Sequence, residues 1–184
     1  MASVSKGQDY IDSRDVVSII EELENDRELR QSRMDEALEA IEGAQKTLEE
    51  AEKARLGYTD PDDLKEKQEA IYEAREALKK AQEAYDEAKA DLEEWDESSD
   101  ADDLKDLKEL DDMCSNEGEW SYGATLIHES AFEDHARQEA EDCGLLENCN
   151  KWPATCIDWA QAADELKQDY TVIEWGDETY YMRA

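Results

Sequence analysis

Two stretches of this chain repeat apolar residues at intervals of three and four, and a Gly-Tyr-Thr-Asp-Pro turn separates them. The first runs from 12 to 56 as Ile20, Leu23, Arg27, Arg30, Met34, Ala37, Ile41, Ala44, Leu48 and Ala51. That spacing predicts a long helix with one apolar seam. Asp12 with Asp15 reads as a capping box at its start, and Gly57 stops it. Tyr58, Thr59 and Asp60 make the turn, with Thr59 or Asp60 as the next cap and Pro61 at the favoured first helical position. The second seam is Leu64, Lys67, Ile71, Ala74, Leu78, Ala81, Tyr85, Ala88, Leu92 and Trp95. Large and small residues alternate along both, so two such helices can approach closely as an antiparallel, coiled-coil-like hairpin, an arm on the order of 50 Å long. Arg27 and Arg30 interrupt the first seam near the base of the arm. They are expected to meet acidic residues there or to mark where the arm leaves the coiled coil.

Charge constrains function as strongly as the repeats constrain fold. Fifty-three acidic residues against twenty basic ones give a net charge of −33 in 184 residues. Self-repulsion on that scale opposes a compact state. A solvated surface, a halophilic habit or an acidic tail would each account for it; the sharper reading is a surface built for a partner whose own site is basic. Hydrophobic residues at 39%, five Trp and eight Tyr require that part of the chain packs. The opening MASVSKGQDYIDSRD lacks an apolar signal region, and no run approaches the ~20 apolar residues of a membrane helix. A cytoplasmic protein is expected. Like charge excludes nucleic acid and anionic membranes as direct partners.

Residues 98 to 119 carry nine acids and two lysines. They read as an acidic linker or, through Leu104, Leu107 and Leu110, as a short docking helix. A calcium loop starting at Asp96 fails, because Ala101 stands where glycine is required and Leu107 where glutamate is required. From Trp120 the texture becomes mixed. Ala124 to His128 predicts a strand, and Ser130 with Glu133 caps a helix ending at Gly144 whose inward residues are Phe132, Ala136 and Ala140. After a loop with Trp152 and Pro153, Thr155 with Asp158 caps a helix bearing Trp159, Ala162, Ala163 and Leu166. Tyr170 to Trp175 and Glu178 to Met182 then form a hairpin across Gly176 and Asp177, with Ile173 opposite Tyr180 and Val172 opposite Tyr181. One face of that hairpin is expected in the core and the other half exposed. The predicted class is α+β, divided as 1–97 (N-terminal segment and arm), 98–119, and 120–184 (small mixed domain).

The segments GATLIHESAFEDHARQEAEDCGLL and WPATCIDWAQAADELKQDYTVIEWGDETYYMR, between Gly123 and Arg183, resemble a module common in bacteriophage and prophage proteins. DYIDSRDVVSIIEELE resembles the start of the same proteins. The C-terminal module is also similar, more distantly, to the last domain of ArdA-type antirestriction proteins. That resemblance implies imitation of duplex DNA to occupy the DNA groove of a bacterial defence enzyme.

Enzyme chemistry has little support. The chain has no P-loop, GxSxG or HExxH, and His128 and His135 read as structural or surface residues. Cys114, Cys143, Cys149 and Cys156 lack a CxxC pair and read as free thiols, so no metal and no cofactor is expected. The acids themselves are the candidates. Residues 13 to 97 hold 28 acids and 13 bases, many as helical pairs such as Glu42 with Lys46 and Glu49 with Lys53. Residues 86 to 119 hold 16 acids and three bases in 34 positions, closer to the one charge per roughly 1.7 Å of duplex DNA. The expected partner surface is therefore Asp86, Glu87, Asp91, Glu93, Glu94, Asp96, Glu97, Asp100, Asp102, Asp103, Asp106, Asp111 and Asp112. Glu21, Glu22, Glu24 and Asp26 should thicken it from the start of the first helix. The expected partner is a bacterial DNA-binding defence protein of a restriction or CRISPR system. The alternative is an acidic adaptor that binds through the apolar hairpin tip or the sheet, and a homodimer is compatible with either.

Overall fold

A computed structural model describes residues 4–57, 59–116, 118–144, 152 and 154–183. Tyr58 of the turn, and Cys149 and Pro153 of the later loop, lie outside the described residues. The elements are β1 Tyr10–Asp12, α1 Ser13–Arg55, α2 Pro61–Asp96, α3 Ser99–Cys114, α4 Trp120–Gly123, β2 Thr125–His128, α5 Phe132–Asp142, α6 Trp159–Leu166, β3 Tyr170–Trp175 and β4 Glu178–Arg183, with short 3-10 turns between some of them. The fold is α+β: a pair of long helices and a small antiparallel sheet.

Two compact units divide the chain, Leu23–Asp102 and a second made of Met1–Glu22 with Asp103–Ala184. The boundaries differ from those read along the sequence, because the first residues belong with the C-terminal sheet and not with the arm. In the Leu23–Asp102 unit, Arg27 bonds Asp96, Arg30 bonds Asp91 and Arg75 bonds Glu52, so the helices run antiparallel. The seams match the predicted positions. Met34, Ala37, Ile41, Ala44, Leu48 and Ala51 are all half-buried, as are Leu78, Ala81, Tyr85 and Ala88, whereas Ile71, Ala74, Leu92 and Trp95 are buried. A pair of helices has only one side to hide, so most seam residues keep one flank in solvent. Asp60, not Thr59, caps α2, accepting from the Asp62 amide at 3.0 Å ahead of Pro61.

In the other unit the sheet order is β1-β2-β4-β3, antiparallel throughout. The β3–β4 register places Ile173 opposite Tyr180 and Val172 opposite Tyr181, as the sequence predicts. Gly176 takes a φ of +65° while no described non-glycine residue, Asp177 included, is positive, the pattern of a two-residue type II′ turn. β1 was not anticipated: three residues are too few to show an alternation, yet Ile11 pairs with Leu126 and is fully buried. Asp12 then caps α1 by accepting from the Arg14 amide at 2.9 Å, while Asp15 takes no part in the capping box that its spacing predicts.

As expected, the hairpin keeps one face in the core and leaves the other at least half exposed, with Val172 and Glu174 open to solvent, while Tyr181 on that second face is covered. On one face Ile127 and Tyr181 join Phe132 and Ala136 of α5 and Ala163 of α6 in one cluster. The opposite face carries Leu126, Met182, Tyr180, Ile173 and Trp175, all buried. Within the segment from 98 to 119, Ser99–Cys114 form a helix, with Leu104, Leu107, Leu110 and Cys114 buried. Its backbone is tied to the sheet where the Trp175 indole donates to the Asp106 carbonyl at 3.0 Å. Ser13, also fully buried, donates to the Trp120 carbonyl at 2.8 Å. Before α5, the cap is His128 and not Ser130: the His128 ring accepts from the Ser130 amide, and a 3-10 turn leads into the helix. Asp158 alone caps α6, through the Gln161 amide at 3.1 Å.

Candidate acidic partner surface

Acidic residues in the arm unit occupy the last turns of α2 and the first turn of α3. Leu92 and Trp95 turn inward there, which leaves the intervening positions to solvent. Asp86, Glu87, Glu94, Glu97, Asp100 and Asp102 are exposed and form no ion pair or side-chain hydrogen bond with described residues. Glu93 is exposed and pairs with Lys89 at 3.6 Å. A surface pair of that kind costs or contributes little and stays accessible.

Asp91 and Asp96 do not belong to that free set. Arg30 holds Asp91 and Asp26 together, and Arg27 holds Asp96 at 2.9 Å with its guanidinium 6.0 Å from the Trp95 ring centroid. Burial works against the charge on Arg30, and the two carboxylates outweigh it, so its pKa is raised. The start of α1 does lie beside the end of α2, as the antiparallel geometry requires. What it brings there is arginine: the expected thickening by Asp26 is offset by Arg30. Glu24 is half-buried. Among the helical pairs, Glu49 meets Lys53 at 3.7 Å, whereas Glu42 and Lys46 form no pair. Beside Arg30, a cavity of 250 Å³ is lined by Asp91, Glu94, Trp95, Ser98 and Asp100. The Trp95 indole N–H is buried without a hydrogen-bond partner among the described residues.

In the sheet unit, Glu21 and Glu22 of α1 and Asp103 and Asp112 of α3 are exposed and unpaired among described residues. Asp106 and Asp111 have structural tasks. Lys6 bonds the Asp106 carboxylate, which raises the lysine pKa, and the Trp120 indole donates to Asp111 at 2.7 Å. The candidate acids thus fall into two sets on two units, and each set loses members to internal pairing.

The histidines are built into the sheet unit. His128 contacts Ser130 Oγ at 2.6 Å and Glu178 at 2.9 Å, with its ring edge against Tyr180. His135 meets the Tyr170 hydroxyl at 2.9 Å, and its burial lowers its pKa. Cys114 is buried and Cys143 and Cys156 are exposed, none of the three in a disulfide. Among the described residues no group of three or more His, Cys, Asp or Glu could hold a metal ion. No described helix is long and apolar enough to cross a membrane. No family model matches the chain, and no curated protein or solved structure matches it either.

Proposed function

We propose that this protein is a phage-type inhibitor of a bacterial defence system, restriction or CRISPR, that enters a basic DNA-binding groove in place of DNA and performs no catalysis. One observation carries the proposal: Asp86, Glu87, Glu94, Glu97, Asp100 and Asp102 are exposed and uncompensated along α2 and the start of α3. With Asp91 and Asp96 held by arginine, the other five acids from Asp86 to Glu97 and Lys89 leave one net charge per ~4.5 Å of helix rise, against roughly 1.7 Å along duplex DNA. Steering by complementary charge gives fast association that weakens as salt rises. The arginines at the base fit the same purpose, since they fix the arm's geometry while removing Asp26, Asp91 and Asp96 from the field.

The test is charge reversal of four of the free acids, Asp86→Lys, Glu87→Lys, Glu94→Lys and Glu97→Lys. Inhibition of the target nuclease, and competition with duplex DNA for it, should be abolished while circular dichroism keeps its helical amplitude. Unchanged inhibition would sink the mimicry.

The adaptor reading has its own support at the tip of the arm. Leu56 and Tyr72 are 85% and 65% exposed. They border a cavity of 1030 Å³ that Leu64 and Ile71 also line. A partner held there through apolar anchors should bind with little dependence on salt, which separates the two readings.

A further inference from the structure

The outer edge of the sheet carries an inference that is independent of the acids. β3 lies at the end of the order β1-β2-β4-β3 and pairs on one side only. In a two-residue hairpin the residues flanking the turn, here Trp175 and Glu178, exchange both backbone hydrogen bonds. Ile173 and Thr171 therefore also face β4, and Val172 and Glu174 direct their N–H and C=O groups outward. Among the described residues no strand or loop pairs with those groups. A bare edge is normally protected by lysine, proline, a bulge or shortness. Tyr170–Trp175 has none of these: it is six residues in unbroken register, carries Thr, Val and Ile in succession, and holds one charge, Glu174. Val172 at its centre is 52% exposed.

We infer that this edge docks the same edge of a second copy, β3 against β3 in antiparallel pairing about Val172. The strand is complementary to itself in that register. Val172 meets Val172, Thr171 meets Ile173, and Glu174 meets the second copy's Tyr170 and not another carboxylate. A centre of pairing at Ile173 would also use the outward groups, but it would set each Glu174 carboxylate opposite an apolar Val172. An open cavity of 570 Å³ beside the edge, lined by Met113 and by Thr171 to Glu174, receives the second copy's Thr171 side chain. Backbone pairing supplies the attraction, and pockets for alternate side chains set the register. The net charge of −33 on each copy opposes the association over a Debye length of about 8 Å at physiological salt. Dimerisation must therefore strengthen as salt rises, opposite in sign to target binding by the acids.

Sedimentation velocity across a concentration series reads this directly, with no defence protein present, so it succeeds or fails apart from the proposed function. Between about 0.05 M and about 0.5 M NaCl the dimer dissociation constant should fall by roughly tenfold or more. Amide exchange at Val172 and Glu174 should slow as protein concentration rises. Val172→Lys should abolish the dimer even though it lowers the net charge. Val172→Pro, which removes only an outward N–H, is the second variant if the lysine disturbs the fold. A monomer under all these conditions, or a dimer that both variants leave intact, overturns the inference. So does a monomer whose binding to a defence target is lost in Val172→Lys, which would give the edge to a strand of that target.

Discussion

The arm and the sheet unit reach order by opposite means. Along the arm, helices α1 and α2 touch through seams that stay half-buried, and among the described residues of Leu23–Asp102 only Ile71, Ala74, Leu92 and Trp95 are closed from solvent. The sheet unit closes Ile11, Val16, Leu110, Cys114, Leu126, Phe132, Tyr180 and Met182 completely or nearly so, with residues from both ends of the chain. Helical hydrogen bonds are local, so a long helix needs little burial per residue. A four-stranded sheet assembled from residues 10 to 183 must repay the closure of long loops, and dense packing repays it. The acidic surface follows the same division, because a helix with one narrow seam leaves most of its circumference free for charge.

Core truncation should break this comparison most sharply. Phe132 is fully buried against Tyr170, Tyr181 and His135. Phe132→Ala should cost about 3–5 kcal/mol in urea or guanidinium denaturation followed by near-ultraviolet signal. Leu48→Ala on the half-buried arm seam should cost less, about 1–2 kcal/mol, because part of the side chain already meets water. Equal losses would contradict the difference in burial.

Trp95 tests whether the base of the arm is held by shape or by polar bonds. Its ring is 5% exposed, but its N–H bonds no described residue. Trp95→Phe should therefore cost about 1.5 kcal/mol or less, whereas Trp95→Ala should cost about 3 kcal/mol or more through the cavity it opens. A large loss for phenylalanine would show that the indole N–H has a partner after all.

The smallest expected effect is a pH dependence confined to the sheet unit. His135 faces Phe132 on its own helix, Tyr170 of β3, and the Glu139 and Arg183 charges. Burial, aided by Arg183 and opposed by Glu139, lowers its pKa below the ordinary 6.5. The unfolded chain therefore binds the proton more readily. The contribution of this residue is complete above 6.5 and is lost as pH falls through that value towards the folded pKa. Relative to the native chain, His135→Asn should flatten the fall in melting temperature between pH 7.5 and pH 5.5. An unchanged slope would show that His135 has no part in it.

Much of the arm was legible in advance because helix periodicity repeats the same statement every turn. Ten positions of each seam agree on one face, and Asp60-Pro61 marks the second start. The β3–β4 hairpin was legible for a similar reason, since Gly176 and Asp177 leave room for only one register. Tyr10–Asp12 offered no repeat and no turn, so its place beside β2 could not be read. The candidate acids were legible by composition but not by state. Which carboxylates are free depends on the azimuth of each residue on its helix and on what faces it, and that is how Arg27 and Arg30 came to claim Asp96 and Asp91.

The sequence by itself determined the helices, their turn, the final hairpin and an excess of negative charge concentrated between 86 and 119, because periodicity, capping and charge are properties of neighbours along the chain. Only the tertiary structure decided that the N-terminal residues complete the C-terminal sheet, that the acidic segment buries three leucines against the remainder of its unit, and which acids remain unpaired. Those outcomes rest on contacts between residues as far apart as Lys6 and Asp106 or Ile11 and Leu126, and such pairings leave no trace in local spacing.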